Sequence, residues 1–318
     1  MSSKIKKINF GKYYDKYGLI AILLGISLIF FALKPSFFSI YNLQNIFKQV
    51  SINGLIAYGM TFVILLGAID LSVGSILSLS AYFVGMMIVS AGIPAPIAII
   101  AGMISGALLG LINGLLVSKM KLQPFIATLS TMTIYRGLTK VISNGLPVRE
   151  LEENSALMGW LNKGEVIIFP VTMIVLILFL IISLFMLNKT IFGKHIYATG
   201  GNEEAARLST VNTEKIKIYV YVLSGLFASI AAILYLARFN SVYPSAGEGA
   251  ELDAIAAVVI GGTSMSGGRG KILGTFIGIL IIGVMNNGLD LIGVSSFYQD
   301  IIKGFIILFA VVMDKSKK

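Results

Sequence analysis

The sequence predicts an all-α fold: a polytopic helical membrane protein with about ten transmembrane helices and an internal repeat of broken-helix elements. Three observations carry this. Of 318 residues, 56% are hydrophobic and only 13% charged, with a mean hydropathy of +0.89, whereas a soluble domain is nearer a quarter charged. The apolar residues come in runs able to cross a bilayer, which takes roughly 20 residues. A glycine- and serine-rich break between apolar runs also occurs twice, as V-I-L-L-G-A-I-D-L-S-V-G-S at 63–75 and A-V-V-I-G-G-T-S-M-S-G-G-R-G-K at 257–271. Setting Gly67 on Gly261 brings Leu71 over Met265, Ser72 over Ser266 and Gly74 over Gly268. Interrupted helices at membrane depth are tolerated only where the loosened backbone is buried in protein or lines a wet cavity. The two breaks, with Asp70, Ser72 and Gly74 in one and Ser266, Gly267 and Gly268 in the other, therefore point to transport.

Taken in order, the apolar runs place spans at about 18–33, 50–67, 74–91, 95–118, 125–142, 166–187, 216–239, 251–263, 272–289 and 298–313. The first follows a lysine-rich start and has no small-residue cleavage site after it, so it reads as a retained span. Residues 36–48 look amphipathic and are expected along the interface. The eighth run is short and opens with Glu251 and Asp253, as a partial or tilted helix would. The fourth carries Gly102, Gly106, Gly110 and Gly114, a column that lets another helix approach closely, for plain packing or for a moving contact. The ninth has a looser version in Gly274, Gly278, Gly283 and Gly288.

Direction follows from the basic residues. With the N-terminus cytoplasmic, segments 1–17, 119–123, 188–215, 268–271 and 314–318, with Lys217, hold 17 of the 25 lysines and arginines, against four outside. The positive-inside rule then puts both termini and both breaks in the cytoplasm, and loop 143–165 outside. The net charge of +10 is explained by this orientation without nucleic acid. Cysteine is absent and His195 is the single histidine, which excludes thiol chemistry and gives no metal site.

Polar residues inside spans are costly and face a partner or a cavity. Asn53, Arg136, Asn286 and Asn287 are candidates for a translocation path; the asparagines could equally bridge helices, and Arg136 could snorkel to headgroups. Asp70 could bond to backbone N–H groups of its break or bind an ion. Gly270-Lys271 is not a phosphate-binding loop: G-x-x-x-x-G-K-S/T would need glycine and a hydroxyl where the chain has Met265 and Ile272. In the loop 188–215, Asn202 can cap a short helix, with Glu203 and Glu204 at its positive end and Ala205, Ala206, Arg207 and Leu208 continuing it.

At this loop a resemblance becomes specific. Y-A-T-G-G-N-E-E-A-A-R-L-S at 197–209 resembles the coupling loop of bacterial ABC-importer permeases of the ribose-type monosaccharide family. So do G-M-T-F-V-I-L-L-G-A-I-D-L-S-V-G-S at 59–75, P-F-I-A-T-L-S-T-M-T-I-Y-R-G-L at 124–138 and E-L-D-A-I-A-A-V-V-I-G-G-T-S-M-S-G-G-R-G at 251–270, together covering about 45–313 in family order. Thr210 stands where the broader permease pattern Glu-Ala-Ala-x-x-x-Gly has glycine, which predicts a looser turn. The resemblance implies a single permease domain in a bacterial inner membrane, not itself an enzyme, working as a dimer of like subunits in lipid. ATP and magnesium would sit on a cytoplasmic ATPase, into which Gly200, Gly201 and the helix to Leu208 insert, and an extracytoplasmic binding protein would deliver a sugar, ribose by resemblance. A proton- or sodium-coupled transporter is the rival reading; it would need carboxylates deep in the spans, where only Asp70 comes near. A membrane-embedded enzyme would need a nucleophile or acid–base pair that is not visible.

Overall fold

A computed structural model describes residues 10–316, and in it the breaks, not the spans, organise the bundle. The helices are α1 (Phe10–Leu33), α2 (Ile40–Leu65), α3 (Val73–Val89), α4 (Ala95–Ser118), α5 (Pro124–Ser143), α6 (Leu151–Asn154), α7 (Ala156–Lys163), α8 (Val171–Lys189), α9 (Ile191–Gly201), α10 (Glu203–Leu208), α11 (Thr213–Phe239), α12 (Ala250–Ile260), α13 (Ile272–Leu291) and α14 (Ser296–Ser316). Among the described residues α4, α8, α11 and α13 are long and apolar enough to cross a membrane, and Gly18–Leu33 and Val73–Val89 are shorter apolar stretches. The expected segments 1–17 and 314–318 lie largely or partly outside the described residues and side chains.

Helix α2 is the axis: every residue from Ser51 to Leu65 except Asn53 is buried, between α11, α13, α12 and α8. Residues 40–48 are not a separate interfacial helix. They form the start of α2, because Ser39 accepts the Asn42 N–H as N-cap and no proline or glycine interrupts the chain until Gly54. Only Pro35–Phe38 breaks off, as one 3₁₀ turn. The sixth run also starts later than expected, at Val171, because Glu165–Val166 (β2) and Phe169–Pro170 (β3) pair as a small hairpin.

The α4 glycine column serves two neighbours. A Cβ at Gly106, Gly110 or Gly114 would overlap the α11 backbone near Gly225, Tyr221 or Ile218, whereas one at Gly102 would strike Val84 of α3. The α13 glycines divide further: Gly274 and Gly278 lie on the backbone of Gly261 and Ala257, Gly283 on Val50, and Gly288 on the Phe30 ring. In lipid, where apolar burial gives no preference for helix over tail, such backbone approach is what holds helices together.

The two long polar segments occupy opposite ends of the bundle. At one end Val148–Arg149 (β1) pairs antiparallel with Ser241–Val242 (β4), α6 and α7 cover the turn, and Glu152 bonds Lys163 and Asn162. At the other, α9 lies against the two breaks and α10 follows it onto α11.

Candidate functional site

The breaks share a helix stop but not a continuation. After α2, Gly67 (φ +75°) donates to Ile64 O and Ala68 N to Val63 O; after α12, Gly262 (φ +84°) donates to Val259 O and Thr263 N to Val258 O. These are the same Schellman turn, in which the left-handed residue favours glycine. The structural register is therefore Gly67 on Gly262, one residue away from the sequence match. Beyond the turn the correspondence ends: Gly74 is helical in α3, whereas Gly268 is in a loop with φ +70°. Likewise Ser72 is buried and Ser266 exposed.

Within the first break Asp70 is fully buried and hydrogen-bonded to its own surroundings. Its Oδ1 accepts from Ser72 N (3.0 Å) and Ser72 Oγ (2.6 Å), and its Oδ2 from Ser224 Oγ (2.9 Å) on α11. Asn113 Nδ2 of α4 donates to Ser72 Oγ at 2.7 Å. The carboxylate ties the break to two helices.

Both breaks meet the C-terminus of α9 through bare backbone. A Cβ on Gly200 would overlap the Leu65 carbonyl and lie 2.8 Å from Gly268 N; on Gly267 it would lie 2.7 Å from Gly67 N and 2.8 Å from Gly200 O. Gly268 N donates to Leu65 O (2.9 Å) and Tyr197 Oη to Gly270 O (2.9 Å). Gly201, one residue on, has open space beside it. Gly200 and Gly201 thus end α9, a helix within the segment 188–215 expected as loop.

Helix α10 begins as its cap predicts, with Asn202 Oδ1 accepting from Ala205 N at 2.9 Å. Its two acidic residues then part. Glu203 turns inward, taking Lys217 Nζ on both oxygens (2.7 and 2.6 Å), Thr213 Oγ1 (3.2 Å) and Arg207 (3.3 Å). Burial alone would raise its carboxyl, but Lys217, Thr213 and Arg207 together hold it below the usual carboxylate range. Ala206 is 5% exposed, whereas Glu204, Ala205 and Arg207 are open and Leu208 is 83% exposed. Thr210 makes as tight a turn as glycine would, contrary to the looser one expected. Its φ is +67°, with Val211 N bonded to Ala206 O, at a cost of order 1 kcal/mol for a side-chain-bearing residue.

The candidate path residues separate in space. Asn53 Nδ2 (3.2 Å) and Asn286 Nδ2 (3.4 Å) both reach Asp253 Oδ2 of α12, and Lys303 Nζ of α14 pairs with Asp253 Oδ1 at 2.9 Å. Asp253 and Lys303 lie 50 residues apart in the chain, and no sequence pattern joins them. The adjoining cavity, lined by Val50, Asn53, Asp253 and Ala257, measures about 10 Å³, the room of one water rather than a sugar. Asn287 instead exchanges two amide hydrogen bonds with Asn42 (2.9 and 3.0 Å). Arg136, half-buried, donates from Nη1 to Pro244 O (3.1 Å) and Ala246 O (2.5 Å) of the turns before α12.

Residues 42–311 match the profile of the family described as a branched-chain amino acid transport system permease component. A ribose import permease of Bacillus subtilis is 50% identical over 317 residues, covering 100% of this chain and 98% of that one. The chain belongs to the ribose-type family of ABC-importer permeases. A ribose import permease of Escherichia coli is 48% identical over 305 residues, 96% of this chain and 94% of the relative. An E. coli D-allose transport permease is 39% identical over 317 residues, 99% and 96% of the two chains. No solved structure matches. As a permease of this family the chain is an integral protein of the bacterial inner membrane and not an enzyme: a partner ATPase uses ATP, and a substrate-binding protein completes the importer.

Proposed function

We propose that this permease carries ribose into the cytoplasm by alternating access, as one domain spanning 1–318 and paired with a second copy of itself. The observation that carries this is the 50% identity to a ribose import permease over the whole chain. Ten spans are assigned to α1 to α5, α8 and α11 to α14, with α12, only 11 residues long, as the partial one. Both termini and the end bearing α9 and α10 are cytoplasmic, which is supported by the charge bias and by the placement of the two polar segments at opposite ends. An impermeant thiol reagent applied to whole cells is therefore expected to label Ser155→Cys and not Ser209→Cys; the reverse pattern would invert the assignment. The absence of native cysteine makes the readout clean.

The segment from Gly200 to Leu208 is the link to the ATPase, whose nucleotide is ATP with magnesium. Its docking face consists of Asn202, Glu204, Ala205 and Leu208, while Glu203 and Ala206 hold α10 to α11. ATP drives the cycle only if it favours one arrangement of the spans by differential contacts. Ala205→Glu, on the open face, is expected to abolish ATPase capture and ATP-dependent ribose uptake at normal membrane abundance. Ala206→Glu should instead lower abundance, because it forces a charge into the protein's own packing. Full uptake of ribose by the Ala205→Glu complex would remove this segment from the coupling path, and uptake of another sugar but not ribose by the wild type would replace the substrate.

A further inference from the structure

The chain from Tyr243 to Gly249 descends along α3 as a run of turns, with Ala246 N bonded to Tyr243 O (2.9 Å) and Glu248 N to Ser245 O (3.2 Å). Val242 lies beside Gly85, Ser78 Oγ donates to Pro244 O (2.9 Å), and Gly247 meets Gly74 backbone to backbone. Gly74 is 15 residues from the far end of α3, about 22 Å at 1.5 Å per residue, so non-helical backbone reaches deep between the spans. Within these turns Pro244 and Ala246 are buried, while Tyr243 (46%), Ser245 and Glu248 are exposed. Arg136 fixes the segment to α5, and the neighbouring exposed α5 residues include Ser130 and Thr133.

This polar strip cannot face lipid. A carboxylate at that depth is expensive in hydrocarbon, and irregular backbone there must be buried in protein or border water. We infer that the Tyr243–Glu248 face and the adjoining face of α5 form the wall along which a monosaccharide passes, with Glu248 and Ser245 meeting its hydroxyls. A carboxylate accepts from neighbouring hydroxyls, a serine donates or accepts, and the amphipathic Tyr243 ring can cover a sugar's apolar face. Arg136, whose Nη1 already serves the Pro244 and Ala246 carbonyls, is the positioning residue that holds these turns in place. The wall accounts for a polar surface that the Asp253 cluster, closed around a water-sized cavity, does not. The inference rests on the ribose-permease reading above.

The test uses the full importer, reconstituted with its ATPase and binding protein. Ser245→Cys should react with a water-soluble thiol reagent, be protected by ribose, and lose uptake once labelled; Ile104→Cys, on the exposed apolar face of α4, should react only with a lipid-soluble maleimide. Glu248→Gln should lower uptake at saturating ribose at least ~10-fold, the scale of one charged hydrogen bond, while the ATPase stays bound. If Ser245→Cys behaves like Ile104→Cys, or if its labelling and Glu248→Gln both leave uptake unchanged, the wall is elsewhere even though wild-type ribose transport stands. If the wild type fails on ribose but Ser245→Cys is labelled and protected by another monosaccharide, the substrate is wrong and the wall stands.

Discussion

Asp253→Leu is expected to cost roughly 3–5 kcal/mol of stability, the typical price of stranding one partner of a buried ion pair. Lys303, 17% exposed, would keep its charge among α2, α12 and α13 with only the exposed Asp300 at 3.7 Å. The amides of Asn53 and Asn286 would lose their shared acceptor as well. The double variant Asp253→Leu/Lys303→Leu removes both charges and should recover most of the loss, because replacing a whole buried pair by apolar groups is often neutral. Melting temperature of the detergent-solubilised protein reads both. Equal destabilisation of single and double variants would mean that the pair contributes nothing beyond packing. Since α14 contacts the rest of the bundle mainly through α12, the single variant should also expose α14 to protease.

Gly200→Ala is expected to separate ATP use from transport. The added methyl would overlap the Leu65 carbonyl, forcing α9 away from both breaks at a strain on the order of 1–3 kcal/mol. The exposed face of α10 is untouched, so the ATPase should still be captured and hydrolyse ATP, while ribose uptake falls at least ~10-fold. Gly201→Ala meets open space and should transport normally. Equal uptake by both variants would show that movement does not pass through this backbone junction. The junction matters because Gly200, Gly67 and Gly267 bring the ends of α2 and α12 onto a single point of α9, so a displacement there reaches two helices at once.

The sequence alone determined the class of this protein. Its apolar runs, its charge asymmetry and the Asn202 cap are local properties, set by composition and by spacing along one helix, and they need no partner to be read. The two glycine- and serine-rich breaks were equally visible as a repeat. Other features depended on chain segments far apart in sequence. Alignment of letters put Gly67 on Gly261, whereas the left-handed residue is Gly262, since the hydrogen-bonded turn and not the tally of matching residues fixes the register. The interfacial helix expected at 36–48 merged into α2 because a cap at Ser39 outweighed an amphipathic pattern. Asn286 and Asn287 are neighbours in sequence but lie about 100° apart around a helix, so one joins Asp253 and the other Asn42. Nothing in periodicity marks Tyr243–Gly249 as deep. Only the packing of Gly247 on Gly74 and the hydrogen bonds from Ser78 and Arg136 carry that short run of turns between the helices. Burial of an irregular segment is decided by the partners that satisfy its carbonyls, and those partners come together only in the folded chain.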